Sequence, residues 1–391
     1  MGISVLSISL DQQLAAVDKE GVFSGAQKRQ LEYAKLVSKY FVVTRAYRGA
    51  NLQPIQLSDS LYVFPTSSWN DYSFIYDAFS LGRDVCKREN IACISCADPF
   101  SAGLVGYLLK QRFGIPLNIH IMADLIDNPP FLNERFRYHL FNAFGKWLIQ
   151  RADTIRVSTS REKEKLASDF RIDEEKVWDV PFFIDFGPYL KSEGKEVRKQ
   201  YLRDRFDKIV LFVGRIVRQK DLPTLIKAIP LVLAKCPKAL FLIVGGGDQE
   251  NAVKKLTMDL GVQGNVCWAG RTSYDQTPAF YKACDVFAIT STYEGTCMVL
   301  QEAAVSGKPI VATGFTGAYE SIADGETGYI VPIGDSQQVA SRILHVLRNP
   351  GLAAEMGARG QKLVMQRFNK EGILRKYRTM WEATAGCKWE C

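Results

Sequence analysis

The sequence has no long apolar run, since nowhere in its 391 residues do about 18 consecutive apolar residues occur. A transmembrane helix needs roughly 20 such residues, so we expect no membrane-spanning helix. The amino terminus, Met1-Gly2-Ile3-Ser4-Val5, opens as a strand and lacks the basic region and cleavage site of a secretion signal. These absences predict a cytoplasmic protein.

The sequence also lacks a disulfide framework. Its nine cysteines form an odd total, and most lie in apolar segments, where a reduced thiol packs as a small apolar group. Cys93 and Cys96 have the spacing of half a zinc site, but they fall in a predicted strand, where residues three apart face opposite sides. We therefore interpret them as core cysteines.

Runs of basic residues are missing as well. No five consecutive Lys or Arg residues occur and no aromatic-basic ribonucleoprotein signature is present, so nucleic acid is not an expected partner. The formal charge of +8 is nonetheless uneven. Residues 1–190 hold 22 Lys and Arg against 22 Asp and Glu, so residues 191–391 carry all of it. The second half is therefore expected to bind an anionic ligand.

What the sequence does contain is a repeated alternation of apolar strands and amphipathic helices, which builds parallel sheets. The alternation stops at the charged stretch 191–208 and restarts at 209–213, and the chain is too long for one core. We predict an α/β protein with two facing, doubly wound, Rossmann-like domains and an interdomain cleft. Residues 1–187 form the first domain and residues 188–368 the second.

One strand-turn-helix segment has the residues for ligand chemistry. Glu294 and Glu302 flank the start of a helix predicted over 298–306, directly after the apolar segment Val286–Ile289. The N–H groups and positive dipole end of such a helix bind phosphates. The two carboxylates can accept hydrogen bonds from hydroxyls of the same ligand. A sugar nucleotide has both features.

Three loops after strands of the second domain add candidate contacts. Arg215 and Lys220 are expected to project toward the mouth of the cleft and hold a diphosphate, with a solvated basic loop as the alternative. The glycines 245–247 would either approach a phosphate or form a tight turn. The turn at Arg271 would either contact a nucleobase or serve only as a turn.

Two positions of the first domain are candidates at strand ends. Gly25 follows the first strand, where a small residue lets a ligand approach the backbone, although a loop glycine has a structural explanation too. His120 closes a strand ahead of Asp124 and Asp127, and a packed, hydrogen-bonded histidine is the alternative to a catalytic one. Asp98 is predicted to cap the next helix rather than to act in catalysis.

The second half resembles the nucleotide-binding domain of the retaining glycosyltransferases of family 4, which have the GT-B fold. The resemblance covers most of residues 209–335 and rests on Gly214-Arg215 with Lys220, Leu225-Ile226-Lys227-Ala228, Val244-Gly245, Glu294-Gly295 through Glu302-Ala303, Gly307-Lys308-Pro309-Ile310-Val311-Ala312-Thr313 and Asp324-Gly325-Glu326-Thr327-Gly328. The first half resembles the acceptor domain more loosely, at Gly25, Asp98-Pro99 with Gly103, Gly114-Ile115-Pro116 and Ala152-Asp153.

The resemblance implies transfer of a sugar from a UDP- or GDP-linked donor to an acceptor hydroxyl, with retention of the anomeric configuration. Arg215 and Lys220 would neutralise the departing diphosphate. Glu294 would hold sugar hydroxyls, Glu302 the ribose, and His120 would stand near the transferred sugar. The backbone N–H groups that would hold sugar and phosphates belong to Gly295, Thr296, Cys297, Met298 and Val299.

No metal and no other cofactor are expected. Fixed cations and a helix end can stabilise a leaving diphosphate in place of a metal ion, and the chain has no Asp-any-Asp triplet. The motif departs from its usual form at Thr296-Cys297, where Phe-Gly is frequent in the family. The Cys297 side chain is expected to narrow the pocket for the donor sugar.

Two further segments have predicted roles. Residues 131–151 interleave aromatic residues with cations, and would either lie on an anionic bilayer at the cytoplasmic face or pack on the sheet as an ordinary helix. Residues 369–391 are expected, as in relatives, to include a helix that crosses back to the first domain.

The expected acceptor is a saccharide or a lipid-linked sugar, in polysaccharide or glycolipid assembly. Two other functions remain open from the sequence. One is a sugar-nucleotide epimerase or hydrolase of the same fold, which needs no acceptor. The other is a catalytically silent sugar-nucleotide-binding protein.

Overall fold

The structure is a computed structural model that describes residues 2–16 and 23–386. The described residues form two compact units. The N-terminal unit comprises the residues up to Pro181 and those from Glu371 onward, and the C-terminal unit is Phe182–Lys370. The first predicted boundary, after residue 187, is therefore displaced. Phe182 belongs to the second unit because its backbone N–H donates to Thr296 Oγ1 and its carbonyl accepts from Gln301 Nε2.

The N-terminal unit is built on an eight-stranded sheet with the order β3-β4-β2-β1-β5-β6-β7-β8. Its pairs are parallel except β3 with β4. The strands are β1 (Ser4–Ser9), β2 (Lys39–Thr44), β3 (Ile55–Ser58), β4 (Leu61–Pro65), β5 (Cys93–Cys96), β6 (Leu117–Ile121), β7 (Thr154–Val157) and β8 (Val177–Asp179). The helices are α1 (Gly25–Ala34), α2 (Asp71–Arg88), α3 (Ser101–Phe113), α4 (Pro129–Leu132), α5 (Arg137–Ile149) and α6 (Ser160–Phe170).

The C-terminal unit is built on a six-stranded parallel sheet with the order β11-β10-β9-β12-β13-β14. Its strands are β9 (Lys208–Val213), β10 (Ala239–Val244), β11 (Val266–Gly270), β12 (Val286–Ile289), β13 (Ile310–Thr313) and β14 (Gly328–Val331). Its helices are α7 (Gly187–Lys191), α8 (Lys195–Leu202), α9 (Leu222–Leu233), α10 (Glu250–Asp259), α11 (Thr277–Ala283), α12 (Met298–Val305), α13 (Ala318–Ser321), α14 (Ser336–Arg348) and α15 (Pro350–Arg367).

The last described helix, α16 (Lys370–Thr384), packs on the sheet of the N-terminal unit. Trp381 Nε1 donates to Ser95 Oγ at 3.3 Å, and the hydroxyls of Thr384 and Thr154 lie 2.6 Å apart. Tyr377 and Trp381 are buried there. The apolar face of α16 therefore completes the core of the unit that begins the chain.

The central strands of both sheets are almost wholly buried, as expected of parallel sheets covered by helices on both faces. Cys93 and Cys96 lie in fully buried β5 and form no disulfide, so their interpretation as core cysteines is confirmed. Of the helices in the described ranges, none combines the length and apolar character needed to cross a membrane. The parallel strands send the loops that follow them to one edge of each sheet, where doubly wound folds bind ligands.

Candidate functional site

A cavity of about 670 Å³ opens at the carboxyl ends of β9, β10 and β11. Arg215, the glycines 245–247 and Arg271 contribute to its walls. Gly245 has φ +136°, and a Cβ at this position would lie 1.8 Å from the carbonyl oxygen of Gly214. Only glycine fits there, because the backbones of the loops after β9 and β10 are in direct contact. The absence of a side chain at this contact leaves room for a ligand in the cavity.

Hydrogen bonds join the loops that follow the neighbouring strands β9 and β12. Gln219 Nε2 donates to the Tyr293 carbonyl at 2.8 Å, and the Thr292 N–H donates to the Gln219 carbonyl at 2.9 Å. Thr290 Oγ1 donates to the Asp221 carbonyl at 2.8 Å. These contacts hold Lys220, at the end of the first loop, against Glu294 in the second.

Lys220 and Glu294 form a buried ion pair. Lys220 Nζ donates to Glu294 Oε1, and the two side chains are only 9% and 12% exposed. Ser291 Oγ donates to the same carboxylate oxygen at 2.5 Å. Lys220 is buried on Glu294 whereas Arg215 is exposed, so the alternative of a wholly solvated basic loop does not describe Lys220. The predicted role of the two cations in holding a diphosphate stays a prediction.

Both members of this pair are ionised. Burial by itself would raise the pKa of Glu294, but the Lys220 charge and the hydrogen bonds bring that pKa below its ordinary value. Burial would likewise lower the pKa of Lys220, and the Glu294 charge outweighs it, so the pKa of Lys220 is raised. The site thus holds a full negative and a full positive charge in contact with each other, and both are largely shielded from water.

Helix α12 starts beside this pair without a side-chain cap. Cys297 occupies the N-cap position, and its buried thiol donates a hydrogen bond to Glu294. Burial first, and then the Glu294 charge, raise the pKa of the Cys297 thiol well above its usual value, so the thiol stays protonated. The Cys297 side chain therefore fills the space next to Glu294, and the helix N–H groups remain available to an anion.

Glu302 lies one turn into α12 and is buried. The Tyr281 hydroxyl, on α11, donates to Glu302 Oε2 at 2.7 Å and so fixes the orientation of the carboxylate. Burial and the Glu302 charge raise the pKa of Tyr281 well above its usual value, which keeps the phenol a donor. No sequence signal pointed to Tyr281, because it belongs to no recognised motif.

Gly317 was also missed by sequence reasoning. Its N–H donates to the Glu294 carbonyl at 3.1 Å, and a Cβ at this position would lie 1.7 Å from the Gly295 carbonyl oxygen. The loop after β13 therefore packs directly on the turn that carries Glu294. The structure thus gathers Lys220, Glu294, Cys297 and the start of α12 at one sheet edge, with Arg215 and Arg271 in the neighbouring cavity.

In the N-terminal unit, the structure supports the packed alternative for His120. Its Nε2 lies 2.9 Å from Ser95 Oγ, and its Nδ1 lies 3.4 Å from the Arg156 guanidinium. Because a guanidinium only donates, Nδ1 accepts and Nε2 carries the proton. Burial and the Arg156 charge lower the pKa of His120 well below its usual value, so the imidazole is neutral.

The other candidates of the N-terminal unit have simpler surroundings. Gly25 is the first residue of α1, behind the capping box of Ser24 and Gln27, and a Cβ there would meet only the end of the Arg29 side chain at 3.9 Å. Asp98 accepts from the N–H groups of Phe100 and Ala102 at 2.8 and 3.1 Å, as predicted for a cap of the following helix.

The segment 131–151 contains the whole of α5, which buries Leu148 and Ile149. Leu140 and Trp147 on α5 and Phe136 just before it are exposed. The helix therefore packs on its unit and still presents apolar side chains to solvent. Within the described ranges 2–16 and 23–386, no three His, Cys, Asp or Glu side chains are arranged to hold a metal ion. The expectation about metals stays a prediction.

Comparison with known proteins gives a family match in the C-terminal unit. Residues 194–363 match the family model of glycosyl transferases group 1. The chain is 25% identical over 326 residues to N-acetyl-alpha-D-glucosaminyl L-malate synthase of Bacillus anthracis, an alignment that covers 80% of this chain and 81% of the relative.

Two solved structures share the fold along nearly the whole chain. Sucrose-phosphate synthase from Thermosynechococcus elongatus aligns with a TM-score of 0.81 at 20% identity, over 99% of this chain and 100% of that one. HepE of Anabaena, in complex with UDP and glucose, aligns with a TM-score of 0.75 at 19% identity, over 97% and 99%. The predicted α/β fold with two Rossmann-like domains of GT-B type is thereby confirmed. The match of residues 194–363 identifies a glycosyl transferases group 1 domain in the C-terminal unit.

Proposed function

We propose that the protein is a retaining glycosyltransferase that moves a sugar from a nucleoside diphosphate sugar to an acceptor hydroxyl. The observation that carries this proposal is the ionised Lys220–Glu294 pair at the uncapped start of α12, beside the cavity with Arg215 in its wall. The HepE structure, which contains UDP and glucose, supports a donor of this class. The name of the Bacillus anthracis relative specifies an alpha-linked product, in keeping with retention from an alpha-linked donor.

In this proposal, buried Lys220 binds two anionic groups at once. An ammonium group has three donors, so Lys220 can hold Glu294 and a diphosphate oxygen at the same time. Arg215 adds an exposed cation and α12 adds its free N–H groups and dipole. Negative charge grows on the diphosphate as the glycosidic bond breaks, so these fixed groups stabilise the transition state more than the bound donor. A metal ion is not needed for this step.

The carboxylates bind the two sugar rings of the donor. Glu294 is ionised and accepts hydrogen bonds from hydroxyls of the transferred sugar, while Lys220 and Cys297 hold it in place. Glu302, oriented by Tyr281, accepts hydrogen bonds from the ribose hydroxyls. The backbone N–H groups from Gly295 to Val299 bind the sugar and phosphates, and Arg271 lies in the cavity wall, where the nucleobase would sit.

The acceptor is a saccharide or a lipid-linked sugar in polysaccharide or glycolipid assembly. Phe136, Leu140 and Trp147 are exposed on α5 and the chain just before it, a surface that fits the cytoplasmic face of a bilayer beside a lipid-linked acceptor. Gly25 begins α1 in open surroundings and gives an acceptor access to the backbone. His120 is neutral and buried, so its part in the reaction is to shape the N-terminal unit rather than to exchange protons.

The donor can be identified by thermal shift with UDP-, GDP- and ADP-linked sugars, because a ligand that binds only the folded state raises the melting temperature. The selected donor, labelled in the sugar, is then incubated with and without an acceptor panel in the presence of EDTA. We expect transfer only with acceptor, no loss with EDTA, and an anomeric configuration unchanged from the donor by NMR.

The other outcomes identify the alternatives. A product formed from donor alone would show an epimerase or hydrolase. Donor binding without turnover across the whole panel would show a sugar-nucleotide-binding protein. An inverted product, or transfer abolished by EDTA and restored by a divalent cation, would contradict the proposed chemistry.

A further inference from the structure

Three large aromatic side chains stand exposed together at the start of α2. Trp69, Tyr72 and Tyr76 are 71%, 78% and 76% exposed, and within the described chain only Phe136, at 85%, exceeds them among the large apolar residues. Tyr72 and Tyr76 are four residues apart and so share one face of the helix. Trp69 directly precedes the N-cap residue Asn70. Exposed aromatic groups of this size mark binding surfaces more often than isolated exposed apolar residues do.

A neighbouring loop adds a cation to these rings. The guanidinium carbon of Arg48 lies 4.0 Å from the centre of the Trp69 ring, a cation–π contact. The backbone N–H of Arg48 donates to the Ser68 carbonyl at 2.9 Å, which fixes the loop beside the indole.

Further contacts make this arrangement rigid. Asp71, at the first turn of α2, accepts from Tyr47 Oη at 2.5 Å and from Arg45 at 3.0 Å, so the loop after β2 is tied to the helix start. Asn70 Oδ1 caps the helix by accepting from the N–H groups of Tyr72 and Ser73, both at 2.9 Å. The backbone that carries the rings is thus fixed before a ligand binds, which lowers the entropy lost on binding.

The position of the rings also points to a ligand. Strands β2 and β4 are parallel neighbours that end side by side at Thr44 and Pro65, and the loops carrying Arg48 and Trp69 leave from these ends. The rings therefore lie at the carboxyl edge of the sheet, where doubly wound folds bind their ligands.

We propose that Trp69, Tyr72, Tyr76 and Arg48 form an aromatic platform that binds the sugar rings of a saccharide acceptor. The inference rests on the proposed glycosyltransferase function and specifies its acceptor as a saccharide chain. The electron-rich faces of the aromatic rings attract the C–H groups on the face of a pyranose. The phenol hydroxyls of Tyr72 and Tyr76, which have no protein partner in the described residues, and the donors of Arg48 bind the sugar hydroxyls.

The local charge favours a neutral saccharide over an anionic bilayer. Arg45 and Arg48 are balanced by Asp71 and Asp77, both near the exposed tyrosines on α2. A membrane surface attracts an excess of cations, which this group does not have. A hydroxyl-rich ligand matches its mixture of rings, donors and acceptors.

The test measures binding of three neutral hexasaccharides, of glucose, N-acetylglucosamine and mannose, to the full chain without donor. Calorimetry and saturation-transfer NMR report the affinity and the sugar protons that touch the rings. We expect at least one hexasaccharide to bind, and W69A and Y72A/Y76A to weaken it by about tenfold or more, the scale of one stacked ring. W69F should retain most of the affinity. F136A removes a similarly exposed ring elsewhere on the same unit and should leave hexasaccharide binding unchanged.

Thermal shift by the donor sugar nucleotide serves as the folding control, since its site lies in the other unit. W69A and Y72A/Y76A should keep this shift. The proposal is overturned if no hexasaccharide binds the wild type, or if the platform variants bind like wild type. It is also overturned if the variants instead lose binding to phosphatidylglycerol vesicles or lose self-association. Saccharide binding through the platform without any sugar transfer would keep the platform and refute the proposed function.

Discussion

At the carboxyl edges of the two sheets, buried titratable groups have different ionisation states. In the C-terminal unit, Lys220 and Glu294 are both buried and both ionised, because each shifts the pKa of the other toward its charged form. In the N-terminal unit, the cost of burying a charge decides the ionisation of two titratable groups, and both are neutral. His120 is neutral because its pKa is lowered, and Glu162, behind β7, is protonated because burial and the Asp124 charge raise its pKa to about 8.

This difference fits the chemistry proposed for each unit. A leaving diphosphate gains negative charge during the reaction, so its site needs fixed ions that no longer have to be desolvated. A saccharide is neutral, so its unit needs rings and hydrogen-bonding groups. Arg156, a buried cation of the N-terminal unit, is held by the Val180 carbonyl at 2.7 Å and by the Tyr377 ring at 4.6 Å. It stabilises the junction with α16.

The largest expected effect comes from breaking the ionised pair. K220A leaves Glu294 as a buried charge without its cation, so we expect unfolding free energy to fall by about 3–5 kcal/mol and kcat/KM by roughly a thousandfold. The double variant K220M/E294M should recover much of the stability but none of the activity. R218A removes an exposed cation from the same turn and is the matched control. Urea denaturation and steady-state kinetics measure both effects, and wild-type turnover in K220A would refute the assigned role.

Substitution of Arg215 should lower activity without lowering stability. Because its side chain is exposed, R215A should change the unfolding free energy by less than about 0.5 kcal/mol. Its loss removes a cation that acts on the departing diphosphate, so transition-state stabilisation should fall by roughly 2–4 kcal/mol. Kinetics of R215A against R218A check this, and equal kcat/KM values in the two variants would remove Arg215 from the site.

Substitution of Glu162 tests whether this buried carboxyl group of the N-terminal unit is neutral in the folded state. Its folded pKa of about 8 lies above the ordinary 4.5, so the native state binds the proton more tightly than the unfolded chain. The resulting stabilisation is complete below pH 4.5 and is lost as pH rises through about 8. E162Q should flatten this pH dependence of the unfolding free energy, whereas E164Q, on the exposed neighbour, should leave it unchanged. An unaltered pH profile in E162Q would show that Glu162 is ionised when folded.

The smallest effect concerns the exposed apolar side chains at α5. F136A/L140A should weaken binding to phosphatidylglycerol vesicles by about threefold to tenfold, since each side chain contributes modest apolar area. W69A should bind vesicles like wild type, which would separate this surface from the aromatic platform. A wild-type protein that does not sediment with the vesicles would end the proposal of membrane contact.

Local sequence signals were sufficient for much of the site. The apolar strand Val286–Ile289, the turn with Glu294 and the helix start at Met298 are contiguous, so the change of period and the glycine mark them directly. The Lys220–Glu294 contact could not be predicted, because it joins residues 74 positions apart and depends on β9 and β12 being neighbours. The same holds for Tyr281 on Glu302.

In the fold too, some features could be identified from local sequence and others could not. The buried strands have apolar runs that identify them, whereas β3 and β8 are short edge strands with few buried residues and gave no such signal. The surroundings of His120 come from β5, β7 and α16, which are distant in sequence. Its neutral state therefore follows from tertiary packing and not from any motif around it.

Hydrogen exchange with and without saturating UDP or GDP, whichever raises the melting temperature, tests the nucleotide site most directly. We predict that the nucleotide slows exchange in peptides that cover Gly214 to Lys220, the glycines 245–247 and the start of α12, and leaves α14 and α15 unchanged. Protection confined to α14 and α15, or none at all with the nucleotide bound, would contradict the assignment of the site to the carboxyl edge of the C-terminal sheet.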